Sequence, residues 1–402
     1  MEELQERIRT IAQELSPQIT DFLARIVAAK SLSGKEDQVI QVIREEMTKV
    51  GFDEVKEDAF GNLYGFIYGE GPTIAYDAHI DVVDEGDRDA WDTPPFEPVI
   101  KDGWLYGRGA SDQKAGMASI VYAGAIIKRL GVRPPFNVVA TATVQEEDCD
   151  GLCWQYIVKK EGFRPDAVVI TEPTNLGVYR GHRGRMEVMV QVKGVSAHGA
   201  MPQRGKNAIY MMADIVKELQ ELSERLKDHP FLGKGTLTVS QFSSGAPSQC
   251  SVADFAQVYI DRRLTLGETK DTVIEELKSL PSVKNYGAEV IIPSYARPTR
   301  TGYVMEVEKY YPTWLLEEDH PLLKAAVKAA ETVMKREVVP SRWLFSTNGV
   351  ATAGMFGIPT VGFGPGNEIY AHSPNEKMEL SQLPTASAVY VLLGYEFSKS
   401  RK

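Results

Sequence analysis

Five short segments of the sequence place an imidazole or a carboxylate directly after an apolar run or a tight glycine turn. In AYDAHIDVV, 75–83, His79 and Asp81 stand two residues apart at the end of such a run. A period of two puts both side chains on one face of a strand. There the ring can ligate a metal while the carboxylate holds its orientation. In GRGASDQKAG, 107–116, Asp112 follows two glycines and precedes a helical pattern. It is placed either to cap that helix or to bridge two cations. In ATVQEEDCDG, 142–151, Glu146 and Glu147 are adjacent, and such a pair repels unless a cation lies between or beside it. VVITEPTN, 168–175, sets Glu172 just past an apolar strand. GFGPGNEIYAHSPNE, 362–376, sets His372 beyond a Gly-rich loop that lacks the G-x-G-x-x-G spacing of a nucleotide fingerprint.

Each residue alone has a bland alternative: a structural His–Asp pair, a helix cap, two solvated glutamates. Together they form a pattern in which five strands each deliver a carboxylate or imidazole to one edge of a parallel sheet. Imidazole with carboxylate suits zinc, with cobalt or manganese as alternatives. Two imidazoles and three carboxylates exceed what one tetrahedral ion needs. Two divalent ions ~3.5–4 Å apart, sharing a bridging carboxylate, would use all five and would activate water and polarise a carbonyl. A free carboxylate nearby takes the proton from that water and passes it to the leaving group.

The elements that must position these residues are legible. Residues 5–30 and 36–50 read as helices, the second closed by Gly51. Leu63–Tyr68, Thr73–Ile80, Asn137–Thr143, Ala167–Thr171 and Thr360–Phe363 read as strands. Lys114–Leu130, 320–336 and Leu383–Phe397 read as helices. Strands alternating with helices predict an α/β fold with a mostly parallel sheet and helices on both faces. The middle changes character. Strands at Arg185–Lys193, Thr236–Phe242, Ala253–Arg263 and Ala288–Pro293 alternate with helices at Asn207–Leu226 and Glu268–Leu280. That order, β-α-β-β-α-β, is ferredoxin-like. The expected organisation is a catalytic domain built from 1–183 and 299–402, with 184–298 inserted.

With 402 residues, 43% of them apolar, the chain exceeds one core. A net charge of -10 disfavours nucleic acid and anionic membranes. The charged N-terminal segment and the lack of a ~20-residue apolar run predict a cytoplasmic protein with no membrane span. Cys149, Cys153 and Cys250 form no disulfide framework. The first two read as buried spectators.

The chain resembles the di-metal amidohydrolases that include acetylornithine deacetylase, succinyl-diaminopimelate desuccinylase, aminoacylase and glutamate carboxypeptidase. The likeness runs from about residue 20 to the C-terminus. Besides the segments above, it rests on WDTPPFEPVIKDGWLYGRGASDQKAG and GVSAHGAMPQRGKNAI. The resemblance implies a zinc-exopeptidase-like fold. His79 and Glu172 would hold one ion, Glu147 and His372 the other, with Asp112 bridging. Asp81 would orient His79, Glu146 would be general base and then acid, and the Asp112–Gln113 bond would be cis. It further implies a homodimer through the inserted domain, with His198 reaching the partner's site. Arg263 would grip a substrate carboxylate, a bidentate task that suits guanidinium. By strand alternation, only one of Arg262 and Arg263 faces the cleft.

The chain departs from relatives where Pro247–Ser251 replaces an Asn-x-Ile-Pro stretch, so that Ser248 stands in place of an asparagine, and where Gln113 stands in place of a methionine. The expected substrate is an amide with a free carboxylate: an N-acyl amino acid, or a small peptide for a dipeptidase or carboxypeptidase. A binding protein that kept the fold without the reaction is the rival from another class. An oxidoreductase is excluded by the missing Gly-rich strand–helix turn.

Overall fold

The computed structural model describes residues 2–400. Its largest sheet has nine strands. Asn137–Thr143, Thr73–His79, Ala167–Ile170 and Thr360–Gly362 lie side by side and parallel at its centre. These strands are buried along almost their whole length, which is the condition of a parallel sheet enclosed by helices. The margins are antiparallel: Leu63–Ile67 and Glu54–Glu57 on one side, Tyr179–His182 and Trp314–Leu315 on the other. From Thr73–His79 the chain builds Asn137–Thr143 on one flank, then crosses to Ala167–Ile170 on the other. That reversal leaves a crevice beyond the carboxyl end of Thr73–His79, where open α/β sheets bind ligands.

The helix Ala115–Leu130 is rich in Ala and Gly and almost wholly buried, and it packs against Gln382–Lys399, also buried nearly throughout. Tyr76 fastens this layer to the sheet by donating its hydroxyl to the Tyr390 carbonyl at 2.7 Å. The single helix expected over 5–30 is two, Glu2–Glu14 and Ser16–Ala28. Pro17 is the reason. It occupies the first turn of the second helix, where a missing N–H costs nothing, and it cannot extend the first.

The middle of the chain forms a second sheet in the order Thr236–Gly245, Phe255–Leu264, Gly184–Lys193, Glu289–Ile291, with every pair antiparallel. With the helices Ala208–Glu224 and Lys270–Ser279 this is the ferredoxin-like arrangement. Asn207 caps the first of these helices by accepting from the Ile209 N–H. Phe255–Leu264 alternates buried and half-buried residues, one face to the core and one away. The buried apolar side chains from Met186 to Val283 form a cluster of their own, apart from the main core. Thr236–Gly245 is the edge strand and is mostly exposed. No helix among the described residues is long and apolar enough to cross a membrane.

Separate cores should respond separately. Leu219 is fully buried in the smaller cluster, so Leu219→Ala is expected to destabilise that unit by about 2–5 kcal/mol. Hydrogen exchange should then show lost protection within 186–283 and unchanged protection in Thr73–His79. Equal losses in both would contradict two cores.

Candidate metal centre

Four parallel strands end at one edge, and each delivers one part of the site. His79 is the last residue of its own strand. Glu146 and Glu147 follow Asn137–Thr143, Glu172 follows Ala167–Ile170, and His372 follows Thr360–Gly362 after the Gly-rich loop. Asp112 breaks the expected pattern of five strand ends in one sheet. It comes from the turn after Trp104–Tyr106, a strand of a separate three-stranded sheet, and it enters the cleft from the side. Nor does it cap the following helix, whose N-cap is Lys114. The Asp112–Gln113 peptide bond is cis.

The two carboxylate oxygens of Asp112 face opposite ways. Oδ1 lies 3.1 Å from His79 Nε2, and Oδ2 lies 3.3 Å from His372 Nε2. His79 Nε2 is also 3.5 Å from Glu172 Oε1, and His372 Nε2 is 2.9 Å from Glu147 Oε2. The donor atoms thus fall into two groups that share one residue: His79, Asp112 and Glu172, and Asp112, Glu147 and His372. Glu146 belongs to neither, and its Oε2 lies 3.8 Å from His79 Nε2. His79 Nδ1 is 3.0 Å from the Asp81 carbonyl and 3.5 Å from Asp81 Oδ1. That contact leaves Nε2 free for a cation.

Two buried carboxylates outside the ligand groups fix the backbone. Asp81 accepts from the Glu146 and Glu147 N–H groups at 3.2 and 3.1 Å. Glu376 accepts from the N–H groups of Gly109, Ser111 and Asp112 at 2.9–3.0 Å and from Arg108 at 2.9 Å. One clamp ties the His79 strand to the glutamate pair, and the other ties the Asp112 turn to the His372 loop. Gly364 lets that loop approach closely, since a Cβ there would stand 2.2 Å from the Glu172 carbonyl oxygen. Gln145 and His372 adopt left-handed φ values of 59° and 56°. Such backbone is uncommon outside glycine and clusters at functional sites.

The cluster fits divalent cations. Glu147 Oε1 and Glu172 Oε2 are buried without a hydrogen-bond partner, and buried native polar atoms normally have one. The charges also strain against one another. Burial, and after it the neighbouring carboxylates, raises Glu146 and Glu172 well above the ordinary carboxylate range and pushes Glu147 up to about 7. For Asp112 burial is outweighed by the bonds from His372 and His79, which hold its carboxyl below the usual range. His372, bonded to Asp112 and Glu147, is pushed up to about 10. Excess negative charge and orphaned oxygens on hard ligands are what two cations relieve.

The cleft around the cluster has a volume of about 390 Å³. Arg263 lines it, whereas Arg262 is fully buried and bonded to Glu268. Strand alternation had required that division. His198 does not line the cleft. It sits on an exposed loop paired with Ser251, beside Ser248. Cys149 and Cys153 are buried against Tyr311 and Asn348, and neither lines the cleft. Asp150, Arg185, Ser346 and Glu368 also line it and were not foreseen. The signal for Arg185 was available, because it faces Arg263 across the sheet at the start of a strand whose alternation was read. Glu376 was visible only as a letter in the His372 segment, since its hydrogen bonds span more than 260 residues.

A carboxylate shared between two imidazole–carboxylate groups, with a free glutamate at their side, defines a dinuclear hydrolase centre. Residues 75–395 match the model of peptidase family M20/M25/M40. The chain belongs to this family, as a metal-dependent amidohydrolase acting on peptides or acylated amino acids. It is 51% identical over 383 residues to the uncharacterized protein YgeY of Escherichia coli (strain K12), covering 95% of each. It is 28% identical to a probable succinyl-diaminopimelate desuccinylase of Staphylococcus epidermidis, covering 88% of this chain and 91% of that protein. Its fold superimposes with a TM-score of 0.71 on a Bacillus subtilis protein described as a dinuclear metal-binding M20 peptidase. That alignment has 15% identity and covers 95% of this chain and 98% of the other.

Loading should release protons. A carboxyl whose pKa is raised in the bare cluster gives up its proton when a cation binds. Zinc titration of the metal-depleted protein near pH 7 is therefore expected to show a heat that depends on buffer ionisation enthalpy. Affinity should weaken as pH falls through about 7, the value to which Glu147 is pushed. A heat independent of buffer would contradict binding at this cluster.

Proposed function

We propose that the chain hydrolyses the amide bond of an N-acyl amino acid or small peptide bearing a free carboxylate, with zinc as the resident ion. The reading rests on Glu146, a buried carboxylate beside both ligand groups and a member of neither. In this reading His79 and Glu172 would hold one ion and Glu147 and His372 the other, with Asp112 common to both groups. When bound, the two ions acidify water and polarise the amide carbonyl. Glu146 takes the proton of the attacking water on its carboxylate and delivers it to the leaving nitrogen. Its burial keeps bulk water from competing for the proton it carries. Asp81 keeps the His79 ring and the Glu146 backbone in register. Arg263 holds the substrate carboxylate. The relative named as a desuccinylase supports deacylation, and a dipeptidase or carboxypeptidase on the same site is the alternative.

Residues 184–298 form the lid and the homodimer contact in this proposal, inserted between catalytic segments 1–183 and 299–402. Tyr210 and Phe242 are 71% and 49% exposed on the outer helix and edge strand, as suits an apolar contact between copies. His198, which does not line its own cleft, would reach the partner's and hydrogen-bond the developing oxyanion. All three cysteines are free, in keeping with the cytoplasm.

Glu146→Gln is expected to lower kcat by about 10²–10⁴-fold while metal analysis still finds two ions per chain. Loss of metal together with activity would assign Glu146 to the ligands instead. For the dimer, Glu146→Gln and His198→Ala chains are each expected to be nearly inactive alone, and mixing them should restore part of the activity. No recovery in a mixed dimer would rule out His198 acting in trans.

A further inference from the structure

The charged residues lining the cleft outside the ligand groups, Glu146 aside, are Asp150, Arg185, Arg263 and Glu368. Three already have ionic partners. Arg185 bonds Asp150 at 3.0 Å, and Arg263 bonds Asp261 at 2.8 Å. Glu368 stands apart. Among the described residues its carboxylate makes no hydrogen bond and no ion pair, and its Oε2 is shielded from water.

Three cleft carboxylates carry such an orphaned oxygen: Glu147, Glu172 and Glu368. For the first two, the cations supply the missing partner. Glu368 lies outside both ligand groups, so its partner must be something else. Its placement is fixed as a recognition residue requires. Asn367, just before it, donates its N–H to Ser111 Oγ at 2.9 Å, and its carbonyl accepts from the same hydroxyl at 3.2 Å. Ser111 adjoins Asp112, so Glu368 is anchored to the segment that carries the shared ligand. A shielded carboxylate oxygen with no partner is costly even on a half-buried side chain, and burial raises the pKa of the group. A cationic donor arriving with the substrate would remove that cost.

We propose that Glu368 receives a protonated amine of the substrate, so that the preferred substrate is an amide carrying both a free carboxylate and a free ammonium group. The carboxylate goes to Arg263, the ammonium to Glu368, and the scissile bond lies over the metal centre. The inference rests on the hydrolase reading above and specifies its substrate class.

The test uses two matched pairs with the full-length, metal-loaded protein. L-alanyl-L-alanine against propionyl-L-alanine varies the amine on the acyl side. Nα-acetyl-L-lysine against Nα-acetyl-L-norleucine varies it on the other. Wild type is expected to favour the amine-bearing member of at least one pair by about 10-fold or more in kcat/KM, since a site built around a donor rejects its absence. Glu368→Gln should erase that preference chiefly through KM, while the amine-free member changes by less than about 3-fold. Glu368→Asp should keep part of the preference. Measurable turnover with no preference in wild type overturns the proposal. So does a preference that survives in Glu368→Gln, or an equal loss on both members. Should wild type with two ions bound hydrolyse none of the four, the hydrolase reading itself fails and this inference falls with it.

Discussion

Asp112, Glu146, Glu147 and Glu172 crowd together with little of any side chain exposed, and their mutual repulsion is the constraint the rest of the fold answers. In a low-dielectric setting such a group of like charges would protonate or move apart. The fold prevents the second, so the bare cluster leans toward protonation instead. Asp112 is held in place by imidazoles on both sides. Its neighbours are held on strand ends that the sheet cannot displace without breaking its ladder. The cluster is therefore built for positive charge before any arrives, which is preorganisation in the electrostatic sense.

That rigidity comes from two further buried acids, used in the opposite way. Asp81 and Glu376 also lie in the interior, but each is wrapped by backbone N–H groups. Protein donors, with Arg108 among them at Glu376, leave these carboxylates no need for a metal ion. The contrast between wrapped and unwrapped carboxylates separates scaffold from site more sharply than residue type does. Glu376 and Glu172 are both glutamates buried near the same cleft. One has every oxygen satisfied by protein, and the other leaves Oε2 bare.

Much of this was legible in the sequence, because strand ends and apolar periodicity are local signals. Thr73–His79, Asn137–Thr143 and Ala167–Ile170 fall within a residue of the runs that predict them. The ferredoxin-like order followed from alternation alone. The short strands Trp104–Tyr106 and Lys377–Glu379 did not. At three residues each they carry too little pattern, and they pair with each other across the length of the chain. Missing them hid the true origin of Asp112. The glutamate at 376 and the arginine at 185 were hidden differently. Their identities were plain, but their partners depend on tertiary contacts that no local pattern encodes. The break at Pro17 was a local signal outweighed by the strong periodicity around it.

The clamp at Glu376 also bears on when the protein becomes competent during synthesis. Its four donors lie at residues 108–112, and the carboxylate that gathers them emerges some 260 residues later. His372 emerges with it, and the strand Thr360–Gly362 that completes the parallel centre only slightly earlier. A growing chain can gather the buried apolar cluster of 186–283 before the ligands are complete, and the pairing of Tyr310–Tyr311 with Gly184–Lys193 follows later. A chain that stops short of His372 and Glu376 lacks both a member of the second ligand group and the carboxylate that gathers the Asp112 turn.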